Sequence, residues 1–105
     1  MSKADYQKYA KSKCDAENWT NDDYQNLVTL WEKESGWSVT AGKPEKAYGI
    51  PQACPGSKMK AYGEDYLTNY ITQINWGIDY IKSRYGNPTK ALEHFNKKNC
   101  IKLDN

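Results

Sequence analysis

The apolar residues of this chain return at helical spacing, inside segments that carry explicit start and stop signals. Between Thr20 and Gly36, the positions Tyr24, Leu27, Val28 and Trp31 fall at i, i+3, i+4 and i+7, the spacing of a helix that buries one face. Thr20 with Asp23 three residues on forms a short capping box, Trp19 and Tyr24 sit where a hydrophobic staple would, and Gly36 stops the helix after Ser35. A second long helix is predicted from Thr68 as N-cap to Tyr85, with Ile71, Ile74, Ile78 and Ile81 on one face and Gly86 as its end. Asn87 and Pro88 then restart the chain as N-cap and first helical residue, and Ala91, Leu92 and Phe95 give a last helix its apolar face. Residues 2–13 predict a first helix with Ala4, Tyr6, Tyr9, Ala10 and Lys13 spaced along it, and residues 57–61 a short one. Lys97 to Asn105 is polar and expected to fray. Nothing shows the sustained alternation of a sheet protein, so the expected class is mainly α.

The stretch from Gly36 to Gly56 reads differently. Gly42, Pro44, Gly49, Pro51 and Pro55 punctuate it among small residues, predicting a long ordered loop or a short β-ribbon. A loop of that length in so small a domain is usually functional.

A chain of 105 residues has room for one core, so residues 1–105 are read as a single domain. Only 38% of it is hydrophobic, yet 4 Trp, 9 Tyr and 1 Phe can fill a small core with few residues. Tyr and Trp also carry polar handles, which suits them to a groove where flat faces stack on sugars. Charge is nearly balanced, 15 Lys and Arg against 13 Asp and Glu, and both signs are scattered. That argues against nucleic acid as a partner. No apolar run approaches the roughly 18 residues needed to span a bilayer, and residues 1–14 lack the apolar centre of a signal peptide. A chain acting outside a cell would then be a piece of a longer exported protein, or be delivered by other machinery. Cys14, Cys54 and Cys100 form no CxxC pair and His94 is the one histidine, so no metal site or cofactor is expected. One disulfide with a thiol left over, or three reduced thiols, both fit.

Glu34 stands out. It lies seven residues after Leu27 and three after Trp31, and seven helical steps return to within about 20° of the start, so a carboxylate sits on the apolar face. Glu32 falls about 140° from Leu27 and points to solvent. Apolar neighbours and the negative end of the helix dipole both oppose charge on such a carboxyl, as a general acid requires. A structural glutamate held by hydrogen bonds is the alternative.

Four blocks now resemble the soluble lytic transglycosylase catalytic domains, lysozyme-like enzymes that cut peptidoglycan glycan strands. Glu34-Ser35-Gly36 is similar to the family's Glu-Ser motif, and Ala47 to Ala53 (AYGIPQA) to its Gly-Leu-Met-Gln block. Asn75 to Gly86 (NWGIDYIKSRYG) resembles its Gly-x-x-Tyr-Leu segment, and Ala91 to Asn96 (ALEHFN) its Ala-Leu-Ala-Ala-Tyr-Asn. They occur in family order across most of residues 27–96, and four ordered blocks are far more specific than any one. Pro51-Gln52 and Pro55 to Met59 (PGSKM) are similar to compact members in secreted Gram-positive wall proteins and in phage tail or conjugation proteins. Phe95 stands where the family usually has Tyr, and Lys97-Lys98 where it has Ala-Gly.

The resemblance implies a small lysozyme-like helical domain acting on peptidoglycan in the cell wall or outside the cell, as a monomer without cofactor or metal. It implies Glu34 as catalytic acid and base. It also implies substrate contacts from Ser35, Tyr48, Gly49, Gln52, Tyr80 and Asn96. Three of these have a structural alternative: Ser35 and Asn96 as residues of helix ends, Tyr80 as a boundary residue of the core. His94 reads as a surface residue, and Glu45, between Lys43 and Lys46, as a solvated loop charge. A muramidase using a second carboxylate, and a non-catalytic wall-binding or tail module, are the competing functions.

Overall fold

The computed structural model describes residues 1–102, with side chains through Lys97. Four α-helices carry the fold, and side-chain caps set where they begin. The first, α1 (Lys3–Ala16), opens on a capping box in which the Asp5 carboxylate accepts the Ser2 N–H at 2.9 Å. It runs past the expected end at residue 13 because Cys14 is buried and continues the stripe of Tyr6 and Ala10 at four-residue steps. The second, α2 (Asn21–Ser35), begins on the predicted box: Thr20 Oγ1 accepts the Asp23 N–H and the Asp23 carboxylate accepts the Thr20 N–H, both at 3.0 Å. Gly36, left-handed at φ 64°, closes it.

The third, α3 (Tyr70–Arg84), starts one residue later than predicted, because Asn69 rather than Thr68 caps it, its Oδ1 accepting the Ile71 N–H at 2.8 Å. Its buried arc comprises Thr72, Gln73, Ile74, Gly77, Ile78 and Ile81, and Ile71, expected on that face, is 38% exposed. The arc is centred towards Gly77 and Ile81, which puts Ile71 on its rim in the first turn. The fourth, α4 (Pro88–Lys102), begins on the predicted Asn87 cap, whose Oδ1 accepts the Lys90 N–H at 2.9 Å. The helix continues to Lys102 where a fraying tail was expected from Lys97; the last three residues of that tail lie outside the described residues.

Between α2 and α3 the chain makes two isolated antiparallel bridges, Gly42 with Tyr48 and Tyr48 with Ala53, and then a 3-10 helix, Gly56–Tyr62, around the short helix predicted for 57–61. This is the least of β-ribbons. The main core joins Ala10, Leu27, Leu30, Trp31, Trp37, Ile50, Ile74, Ile78, Ile81 and Ala91 from all four helices and the loop. Trp31 and Trp37 meet edge to face with centroids 5.2 Å apart. Gly77 makes room for Trp31 and Pro51: a Cβ there would lie 2.6 Å from the Trp31 ring and 3.0 Å from Pro51 Cβ. A smaller cluster of Tyr48, Ala53 and Met59 packs against Tyr66 and Trp76.

One buried polar side chain ties the loop to this frame. Gln73 is 0% exposed; its Oε1 accepts the Ile50 N–H at 2.9 Å, and its Nε2 donates to the carbonyls of Val39 at 2.9 Å and Tyr66 at 2.7 Å. Each of these three bonds pairs a backbone group of the segments between α2 and α3. Cys14 is buried and Cys54 exposed, both as free thiols, while the Cys100 side chain lies outside the described ones. Among the described residues no helix is long and apolar enough to cross a membrane.

Candidate functional site

The C-terminal turn of α2, the loop after it, α3 and α4 enclose a cleft of about 410 Å³. Glu34, half-buried, stands on its wall beside Leu30 and Trp31 of the same helix. Helical spacing explains the placement: the face that buries Leu27 and Trp31 continues to Glu34, and the cleft opens where that face leaves the core. Glu32 lies on the other side, exposed, with its carboxylate 2.7 Å from Lys3 Nζ. Among the described residues lining the cleft, Glu34 is the one carboxylate.

Much of the remaining lining is aromatic. Trp76 and Tyr80, one turn apart on α3, stack with centroids 4.9 Å apart and planes 13° from parallel. Tyr85 meets Tyr80 edge-on at 6.2 Å, and His94 of α4 leans on Tyr85 at 5.0 Å. All four rings line the cleft. Burial, and after it the neighbouring Tyr80, pushes the Tyr85 phenol above its ordinary value, so Tyr85 stays a hydrogen-bond donor at neutral pH.

Of the residues singled out in the sequence, Glu34, Gln52 and Tyr80 come together in the cleft. Gln52 holds a left-handed backbone at φ 54°, and its Nε2 donates to the carbonyls of Gly49 at 2.9 Å and Ala41 at 3.2 Å. Its amide nitrogen therefore braces the loop.

Ser35, Tyr48, Gly49 and Asn96 lie outside the cleft lining. The Ser35 hydroxyl donates to the Ile50 carbonyl at 2.7 Å and accepts the Trp37 N–H at 3.1 Å, so it joins the end of α2 to the loop. Tyr48 is buried, its hydroxyl donating to the Leu67 carbonyl at 2.7 Å. Gly49, at φ 79°, abuts Gln73: a Cβ there would sit 2.6 Å from Gln73 Oε1. The space its missing side chain frees is occupied by that amide rather than open to a ligand. Asn96 is exposed on α4. Glu45 is exposed and outside the cleft.

The sequence reading missed Trp76, Tyr85, His94, Cys54 and Lys58, which also line the cleft. The Trp76 and Tyr80 pair carried a usable signal, two aromatics at i and i+4. His94, expected at the surface, is half-buried because it sits three residues after the buried Ala91 and shares the margin of that face. Among the described residues no group of three or more His, Cys, Asp or Glu side chains is gathered to hold a metal ion. Comparison with family models, with curated proteins and with solved structures finds no match to this chain.

Proposed function

We propose that the chain is a peptidoglycan lytic transglycosylase with Glu34 as its single acid and base. The observation that carries this reading is Glu34 on the wall of a cleft that the stacked Trp76 and Tyr80 pair also lines. Flat, partly exposed rings with polar edges suit the apolar faces and hydroxyls of a sugar. A carboxyl beside Leu30 and Trp31 at the edge of the core suits proton transfer to a leaving oxygen.

Hydrolytic glycosidases of the usual kind need two carboxylates, one to protonate the leaving group and one to serve as base or nucleophile. Among the described residues the cleft lining supplies one, which favours a reaction that needs only one. Glu34 gives its proton to the oxygen joining N-acetylmuramic acid to N-acetylglucosamine, and the bond from that oxygen to the muramic C1 breaks. The resulting Glu34 carboxylate takes the proton of the muramic C6 hydroxyl, whose oxygen bonds to C1 and closes a 1,6-anhydro ring. Proton and oxygen balance without water.

Mass spectrometry of muropeptides from purified cell wall, digested in heavy-oxygen water, tests the proposal. Anhydromuramic ends without label are the expected result. Labelled reducing ends mean a muramidase that positions water, and an undigested wall means a binding module.

A further inference from the structure

We propose that Gln73, which lies outside the cleft lining, is a positioning residue: its buried amide sets where the wall of Pro51 and Gln52 stands relative to Glu34. The inference rests on the glycan reading above and says what makes its acid effective. A general acid works only on an oxygen within hydrogen-bond reach, and a misplacement of about 1 Å costs about 100-fold in rate. Glu34 and the stack of Trp76 on Tyr80 stand on helices, which their own backbone bonds keep regular. Pro51 and Gln52 stand on a loop whose backbone pairing is limited to isolated bridges and turns. Whatever fixes that loop fixes where a sugar comes to rest beside the acid.

Gln73 fixes it through three hydrogen bonds whose direction is determined. Both N–H donors of its Nε2 are taken by carbonyls, Val39 at 2.9 Å and Tyr66 at 2.7 Å, so Oε1 is left for the Ile50 N–H, which it accepts at 2.9 Å. Gly49 lies against the same amide without slack: a Cβ there would sit 2.6 Å from Oε1, 2.7 Å from Cδ and 2.8 Å from Nε2. Gln73, Gly77 and Tyr80 follow at i, i+4 and i+7, one stripe along α3. The loop descends this stripe. Ile50 bonds to Gln73, Pro51 crosses at Gly77, where a Cβ would lie 3.0 Å from Pro51 Cβ, and the cleft opens at Tyr80. From the other side, the Ile50 carbonyl accepts the Ser35 hydroxyl at 2.7 Å, one residue after Glu34. An apolar side chain of equal volume would fill the space at Gln73 without choosing this register, whereas a fully paired buried amide specifies it.

Kinetics of the full chain on soluble, uncrosslinked glycan strands test the proposal, with each rate divided by the folded fraction that circular dichroism gives in the same buffer. Gln73→Met is expected to lower kcat about 100-fold and leave KM near that of the parent, because the stacked rings that bind the sugar stay in place. Gln73→Asn keeps the amide but withdraws it by one carbon, so it should lose about tenfold, and it carries the test if Gln73→Met does not fold. Cys14→Ala, at a site buried beneath α1 and outside the cleft lining, is the control. It should lower the melting temperature and leave kcat per folded molecule unchanged. Parent-like kcat per folded molecule in the Gln73 variants, or an equal loss in Cys14→Ala, overturns the proposal and leaves the glycan reading intact. So does a rise in KM at unchanged kcat, which makes the loop a binding element only. Strands left intact by the parent overturn the glycan reading, and the Gln73 proposal with it.

Discussion

Ser35 reaches across to Ile50: its hydroxyl, one residue after Glu34, donates to the Ile50 carbonyl at 2.7 Å. From the other side, the Ile50 N–H donates to the buried Gln73 amide at 2.9 Å. The peptide groups of one loop residue are thus held by α2 and α3 at once, and the next two residues, Pro51 and Gln52, form the cleft wall beside Glu34. The geometry of the acid relative to that wall depends on this double clamp.

Gln73→Leu should therefore be among the most damaging single changes. It leaves the buried Ile50 N–H and the half-buried Val39 and Tyr66 carbonyls without their partner. An unsatisfied buried group costs about 1–3 kcal/mol and a half-buried one less, so a loss of about 2 kcal/mol or more is expected in a urea melt. A loss under about 1 kcal/mol would mean that water or side chains replace the amide.

Glu34→Gln should leave the melting curve close to that of the parent and reduce wall cleavage about 10²–10⁴-fold, the usual contribution of a positioned acid or base. The amide has nearly the same shape and cannot give or retake a proton. Glu32→Gln breaks an exposed pair with Lys3 and should change stability by under about 1 kcal/mol and cleavage not at all. Parent-like clearing of purified wall by the Glu34→Gln protein would remove Glu34 from the catalytic role.

The helices were legible because their signals are local. Thr20 with Asp23, Asn87 with Pro88, and Gly36 each act within one turn, and the Leu27 to Trp31 stripe carries its period in the sequence. Where two cap residues stand side by side, as Thr68 and Asn69 do, composition does not choose between them, and the choice moved α3 by one residue. Glu34 was legible for the same reason as Leu27, since one period places both. Gln73 was not, because a buried amide is justified only by the three distant carbonyl and N–H groups it meets. Tyr48 and Gly49 sit in a block that reads as ligand-facing, yet the fold turns them towards Leu67 and Gln73. A loop has no period from which facing can be counted.

Tyr80 separates ring from hydroxyl. Tyr80→Phe keeps the stack on Trp76 and removes the group nearest in kind to a sugar hydroxyl, so turnover should fall while stability stays unchanged. Tyr80→Ala removes the stack as well and should cost about 1 kcal/mol of stability and raise KM. Equal turnover in parent and Phe variant would return Tyr80 to a packing role.

Cys14 is the last test, and its sign follows from burial. The side chain is 0% exposed in the core beneath α1, and burial first, then the charges of Asp15 and Asp23, push its thiol from 9.0 up to about 12 against the opposing pull of Lys11. The folded protein thus keeps a proton that the unfolded chain releases above pH 9.0. The stability this contributes is complete below pH 9.0 and is lost as pH rises towards 12. Chemical melts across that window should show the parent losing stability more steeply than Cys14→Ala, since the other alkaline groups are common to both. Reactivity gives a second reading. With iodoacetamide in mildly alkaline buffer, the exposed Cys54 should alkylate readily and Cys14 only when denaturant opens the core, as peptide mapping by mass spectrometry would register. Labelling of Cys14 at the Cys54 rate in the folded protein would contradict its burial, and parallel alkaline slopes for parent and Cys14→Ala would contradict the raised thiol.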